Sequence, residues 1–178
     1  APLESKLPDN TLMIIPNHQM LSSRNPDPLW RQNYLTVLRR FIDLAQQQAM
    51  HVLVLNHEGT KDLELCQQLI EGKSDKIELV SEADPLKVKA LIGQSRAVVC
   101  SRFHGCVSAL SQGIACIGTS WSHKYHAMMA DFAMADYCVA DLTEHNLLAA
   151  VQQLLDNKDS LVANVTARAS ALKQQNAQ

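Results

Sequence analysis

The sequence predicts a doubly wound α/β domain built on a parallel sheet of about six strands. Three features predict it: short, continuous apolar runs rich in Val, Ile and Leu; helical patterns between them; and no repeat, low-complexity tract or Gly/Ser linker dividing the 178 residues. Continuous runs suit strands buried on both faces, and parallel strands need crossovers that lay helices over the sheet.

The first strand is Thr11–Pro16, followed by the loop Pro16-Asn17-His18-Gln19. Asp27-Pro28 then offers an N-cap with proline at the first helical position, and Trp30, Tyr34, Val37, Leu38, Phe41, Leu44 and Ala45 form one apolar stripe. The second strand, His51–Asn56, leads into Asn56-His57-Glu58-Gly59. The third, Lys76–Ser81, precedes Asp84-Pro85, a helix start of the same kind, with Gly93 where that helix stops. The fourth, Ala97–Ser101, runs into Ser101-Arg102-Phe103-His104-Gly105 and a small-residue helix that stops at Gly113. The fifth, Ile114–Gly118, meets Thr119-Ser120-Trp121-Ser122-His123-Lys124, and the sixth is Tyr137–Ala140. Leu147–Asn157 and Ser160–Lys173 read as closing helices, the second so thinly apolar that another domain is expected to cover it.

With 47% apolar and 19% charged residues, the chain is expected to be one soluble domain over 1–178, with 158–178 as its closing helix. A formal charge of −2 argues against nucleic acid or an anionic membrane as partner. No apolar run reaches spanning length and the start lacks the regions of a signal peptide, so a cytoplasmic location is expected. The chain opens on Ala1 and reads as a piece of a longer protein. Five cysteines, an odd number set among apolar residues, read as reduced small hydrophobes. Cys100, His104 and Cys106, with His123 and His126, do not repeat the paired spacing of a structural zinc site, so no metal and no cofactor is expected.

In such sheets ligands bind beyond the carboxyl ends of the strands, where strand order reverses, and four of the seven histidines fall in those loops. Arg102 and His104 sit in or just before the first turn of a helix, where the dipole is positive and cations are unfavourable. His123 and Lys124 repeat the anomaly after the fifth strand. Cations at two neighbouring helix starts point to a bound anion, for which free backbone N–H groups and an Arg fork are suited. His104, whose protonation would follow ligand binding, suits general acid work. Ser101 joins this site, and His57 and Glu58 form a candidate ligand loop. Trp121 and Tyr125 either stack on a sugar or anchor their loop. His18 and His126 read as loop histidines that face solvent.

Over Val98–Lys124, the order of strand, Ser101-Arg102-Phe103-His104, small-residue helix, Gly113, strand and a loop with Lys124 resembles the carboxy-terminal half of the polysaccharide pyruvyl transferase family. That family's hallmark is Arg, a hydrophobic residue and His at the start of this helix. His57 and Asp62 also match positions where it tends to carry His and an acid. The resemblance implies a Rossmann-like fold as one half of a GT-B-like two-domain transferase, facing an N-terminal domain of the same protein. It implies transfer of pyruvate from phosphoenolpyruvate to two hydroxyls of a saccharide or lipid-linked glycan precursor, as in exopolysaccharide biosynthesis, forming a cyclic ketal and releasing phosphate.

Under that resemblance, Arg102, the helix N–H groups and Lys124 would hold the donor, and His104 would protonate its methylene carbon. Ser101, His57, Glu58 and His123 would complete the substrate site, with Glu58 or a carboxylate of the other domain taking the hydroxyl proton. Alone, this half is expected to turn nothing over, because half of the cleft is missing. Two other readings stay open: a glycosyltransferase half with Arg102 and Lys124 on the diphosphate of a nucleotide-sugar, and a non-catalytic anion- or sugar-binding module.

Overall fold

The computed structural model describes residues 6–74, 76–120, 122–139, 153–154, 156 and 158–175. Six parallel strands form one sheet: β1 (Thr11–Ile15), β2 (His51–Asn56), β3 (Ile77–Ser81), β4 (Ala97–Cys100), β5 (Ala115–Thr119) and β6 (Cys138–Val139). Their order is β3-β2-β1-β4-β5-β6. Leu12 of β1 pairs with Val52 on one side and Ala97 on the other. Every residue of β1, β4 and β5 is buried, which is why these strands read as continuous apolar runs.

The chain winds one way from β1 to β3 and the other way from β4 to β6, so right-handed crossovers place helices on both faces. On one, α1 (Pro28–Gln47) packs with α2 (Thr60–Ile70). On the other, α4 (Phe103–Ser111) packs with α3 (Pro85–Gly93) and α6 (Lys158–Gln175), while α5 (His123–Asp131) lies against β6. Asp27 caps α1 by accepting from the N–H groups of Leu29 and Trp30, and Asp84 caps α3 by accepting from Leu86. The buried face of α1 also takes in Ile42, while Leu44 packs half-buried against the core. These two residues flank the stripe on opposite sides, and a helical pattern does not rank them.

Boundaries shift by a residue or two from expectation. β1 ends at Ile15, because Pro16 has no N–H to continue the ladder. β4 ends at Cys100, although the Ser101 N–H still donates to the Ile15 carbonyl at 3.0 Å. β5 starts and ends one residue later than Ile114–Gly118, β3 begins at Ile77, and the sixth strand begins at Cys138 because Tyr137 closes a 3-10 turn over Ala135–Tyr137; Ala140 lies outside the described residues. The helix expected over 147–157 lies mostly outside the described residues. The closing helix α6 docks on α4 and β5 through buried Val165 and Ala169, so its sparse apolar face has a partner within this chain. Thr166 Oγ1 donates to the Gly113 carbonyl at 3.4 Å. Gly113 has φ +79°, and a Cβ there would stand 2.5 Å from that hydroxyl. All five cysteines are free and buried, and burial pushes the Cys66 thiol up to about 12. Among the described residues no helix is long and apolar enough to cross a membrane.

Candidate functional site

Strand order turns back between β1 and β4, so the loops leaving their carboxyl ends open a crevice there. Its floor is tied together. Asn17 Nδ2 donates to the Ser101 carbonyl at 3.1 Å, the Asn17 N–H donates to the Tyr34 hydroxyl at 3.1 Å, and the Tyr125 hydroxyl donates to the Ser101 carbonyl at 3.2 Å. Ser101 is 2% exposed and its hydroxyl is shared with those of Tyr34 and Thr119. It therefore faces the interior and carries the loop. Burial pushes the Tyr34 and Tyr125 phenols above their ordinary value, so both stay protonated, and Tyr125 anchors this loop. Trp121 lies outside the described residues.

Arg102 is the N-cap residue of α4 and Ser122 that of α5; neither makes a side-chain cap bond, and neither helix has an acid in its first turn. α1 and α3 are capped by aspartates, and α2 carries Asp62 in its first turn. Two helix starts at one end of the sheet thus lack the anionic complement that the others have. His123 is the first residue of α5. The exposed Lys124 places Nζ 4.8 Å from the centroid of the Phe103 ring, which joins the two loops.

The Arg102 guanidinium reaches across to the β2 side, where Nη1 donates to Glu58 and Nη2 to Asp62. The Asp62 side chain is 2% exposed and that of Glu58 42%. Asp62 Oδ1 also accepts the backbone N–H of His18 at 3.0 Å and lies 2.7 Å from His18 Nδ1. Burial alone would raise the Asp62 carboxyl, but the backbone and side-chain hydrogen bonds of His18 and the charge of Arg102 outweigh it and hold it below the ordinary aspartate value. His18, expected to face solvent, is instead largely enclosed and held by this carboxylate.

A cleft of about 450 Å³ opens beside the cluster. His57 and Glu58 come to it from the β2 loop, His104 and Ser108 from α4 and Lys89 from α3, against an apolar wall that includes Val88 and Ile92. Burial, reinforced by the Arg102 and His104 charges, lowers the His57 imidazole from its ordinary value and outweighs Glu58 and Asp62, so His57 is neutral at pH 7. His57 Nε2 and Arg102 Nε are buried without a hydrogen-bond partner. Among the described residues, no group of three or more His, Cys, Asp or Glu side chains is placed to hold a metal ion.

Arg102, Glu58, His57 and His104 thus come together from two loops, Lys124 approaches through Phe103, and Ser101 lies beneath them. Sequence reasoning did not identify Asp62 as the partner of Arg102, nor the presence of Lys89 and Ser108. For Asp62 a signal existed: Asp62, Leu65, Cys66 and Leu69 recur at helical spacing on the buried face of α2, and an acid on an apolar stripe needs a partner. Lys89 and Ser108 carry no such signal.

No curated protein matches the chain. Among solved structures, a Listeria monocytogenes protein solved under the name UDP-N-acetylglucosamine 2-epimerase superposes with TM-score 0.66 at 17% identity, covering 95% of this chain and 42% of that one. S. aureus MnaA, solved with UDP, gives 0.58 at 14% identity over 88% of this chain and 38% of its own. A variant O-GlcNAc transferase from Thermobaculum terrenum gives 0.63 at 10% identity over 94% and 33%. At these identities the likeness is one of fold: a Rossmann-like α/β unit of the GT-B-like kind, spanning less than half the length of each. The model of one sequence family, polysaccharide pyruvyl transferase, matches residues 2–123. That stretch is well over half of the chain and includes the uncapped mouth of α4 with Arg102 and His104, so the chain belongs to the polysaccharide pyruvyl transferase family.

Proposed function

We propose that this chain is the donor-binding half of a pyruvyl transferase that moves pyruvate from phosphoenolpyruvate onto two hydroxyls of a sugar, as a cyclic ketal, with release of phosphate. One observation carries the proposal: Arg102 is fixed at the mouth of an uncapped helix, two residues from His104, beside a cleft large enough for donor and sugar. Arg102, the N–H groups of α4 and α5 and Lys124 hold the carboxylate and phosphate of the donor. His104 gives a proton to the methylene carbon, which leaves an oxocarbenium-like centre open to a sugar hydroxyl. His57 and His123 border the substrate, and an N-terminal domain of the same protein closes the cleft over a saccharide or lipid-linked acceptor in the cytoplasm.

The competing reading is a nucleotide-sugar site, favoured by the UDP in the S. aureus MnaA structure and by a cleft roomier than phosphoenolpyruvate alone requires. Thermal unfolding with each ligand separates the two, since a ligand that binds only the folded state raises the midpoint, by an amount that grows with the logarithm of its concentration over its Kd. Phosphoenolpyruvate is expected to raise it and uridine diphosphate to leave it unmoved, with the phosphoenolpyruvate shift lost in Arg102→Ala. A shift with uridine diphosphate and none with phosphoenolpyruvate overturns the proposal.

A further inference from the structure

We infer that His18, oriented by Asp62, is the general base that takes the proton from the attacking sugar hydroxyl; the inference rests on the pyruvyl transfer proposed above. His18 follows β1 and Arg102 follows β4, the adjacent strands between which the sheet order turns. The two oxygens of one buried carboxylate hold them side by side: Asp62 Oδ1 is 2.7 Å from His18 Nδ1, and Oδ2 accepts from Arg102 Nη2.

This arrangement sets the tautomer. An ionised Asp62 can only accept, so Nδ1 carries the proton and Nε2 presents its lone pair. The Gln19 amide nitrogen, 3.0 Å from Nε2, donates to that lone pair, and the Gln19 amide oxygen is free to face the Ser22 hydroxyl at 3.0 Å. A histidine with Nδ1 anchored on a buried carboxylate and Nε2 closed by one half-buried amide is a base oriented and held in reserve. Its side chain keeps 27% of its surface exposed, and the shared carboxylate sets it beside Arg102. Glu58 is less suited, because its side chain is 42% exposed and its bond to Arg102 is the one a donor replaces, which leaves nothing to orient it.

The proton balance closes with two histidines. His104 gives one proton to the methylene carbon. Each of the two sugar hydroxyls forms a C–O bond to the former C2 of the donor and gives up its proton through His18. Of these two protons, one replaces that lost by His104 and the other leaves with the phosphate, whose C–O bond to C2 breaks.

The test is steady-state pyruvyl transfer by the full-length protein, read as phosphate release from phosphoenolpyruvate with a glycan acceptor, alongside calorimetric titration of phosphoenolpyruvate. His18→Gln is expected to lower kcat by about 10²–10⁴-fold while phosphoenolpyruvate affinity changes less than about threefold. The smaller His18→Ala is expected to recover part of its loss with added imidazole, which a purely structural role does not allow. The turn itself survives either change, because the bond from residue 18 to Asp62 that shapes it is donated by the backbone. If kcat is kept in His18→Gln, or falls only in step with donor affinity and without imidazole rescue, His18 is not the base and the proposed reaction stands. If the unsubstituted protein consumes no phosphoenolpyruvate, the reaction fails and the role of His18 fails with it.

Discussion

Arg102 already carries two carboxylates, and this bears on how an anion can bind beside it. With Glu58 and Asp62 on its fork the local sum is negative, so a donor that carries both a carboxylate and a phosphate must displace one of them. Asp62 is buried and bonded to His18, whereas the Glu58 side chain is 42% exposed and has water to move into. Glu58 is therefore the carboxylate that gives way, and it competes with the donor for Nη1. Glu58→Gln removes the competing charge and is expected to tighten phosphoenolpyruvate binding several-fold, in line with the roughly 0.5–1 kcal/mol of a partly exposed ion pair. Calorimetric titration checks this; weaker binding in the variant would mean that Glu58 contacts the ligand itself. The residue types of this cluster were legible in the sequence, since cations at two helix starts contradict helix electrostatics. Their pairing was not, because Arg102 meets Glu58 and Asp62 across 44 and 40 residues, a relation that only the fold creates.

At the level of elements, α4 is seated on β4 through its smallest residue. A Cβ at Gly105 would stand 2.6 Å from Cys100 Sγ, a thiol enclosed in the core whose hydrogen bonds tie it to the Arg102 backbone. Gly105→Ala must push the first turn of α4 outward, and overpacking of this kind costs about 1–3 kcal/mol. Because His104 precedes Gly105 and Arg102 stands at the start of the same turn, donor affinity is expected to fall along with the midpoint of urea unfolding. Cys100→Ala in the same chain is expected to restore part of both losses; if it restores neither, the close approach is not what seats α4. The same seating explains what could be read from sequence. Buried parallel strands announce themselves as apolar runs, and Asp-Pro pairs announce the starts of α1 and α3, so the strands through β5 and these two helix starts were placed within a residue or two. The edges were harder: β6 is two residues long, and the docking of α6 depends on the shape of the Gly113 turn, which apolar spacing does not encode.

For the molecule as a whole, the cluster that serves the ligand also sets how stability responds to acid. His57 has its imidazole lowered from 6.5, chiefly by burial, so the unfolded chain takes up a proton more readily than the folded one. Its contribution is complete above about pH 6.5 and is lost as the pH falls through the lower native value. Asp62, lowered from 3.8 because the bonds from His18 and Arg102 outweigh its burial, behaves in the same sense at lower pH: its contribution is complete above 3.8 and is lost as the pH falls through its native value. Acid sensitivity should therefore come in two steps, each removable by one substitution. In thermal unfolding from pH 7.5 to pH 3, His57→Gln is expected to flatten the decline that begins near pH 6.5 and leave the lower step in place. Asp62→Asn is expected to be markedly less stable at neutral pH, because Arg102 and His18 lose their shared anion, and to converge with the unsubstituted chain as the pH drops below 4. A His57→Gln curve parallel to the unsubstituted one between pH 6.5 and pH 5 would mean that the imidazole is not held neutral by its surroundings. A constant gap for Asp62→Asn would mean that the carboxylate acts by packing and not by charge.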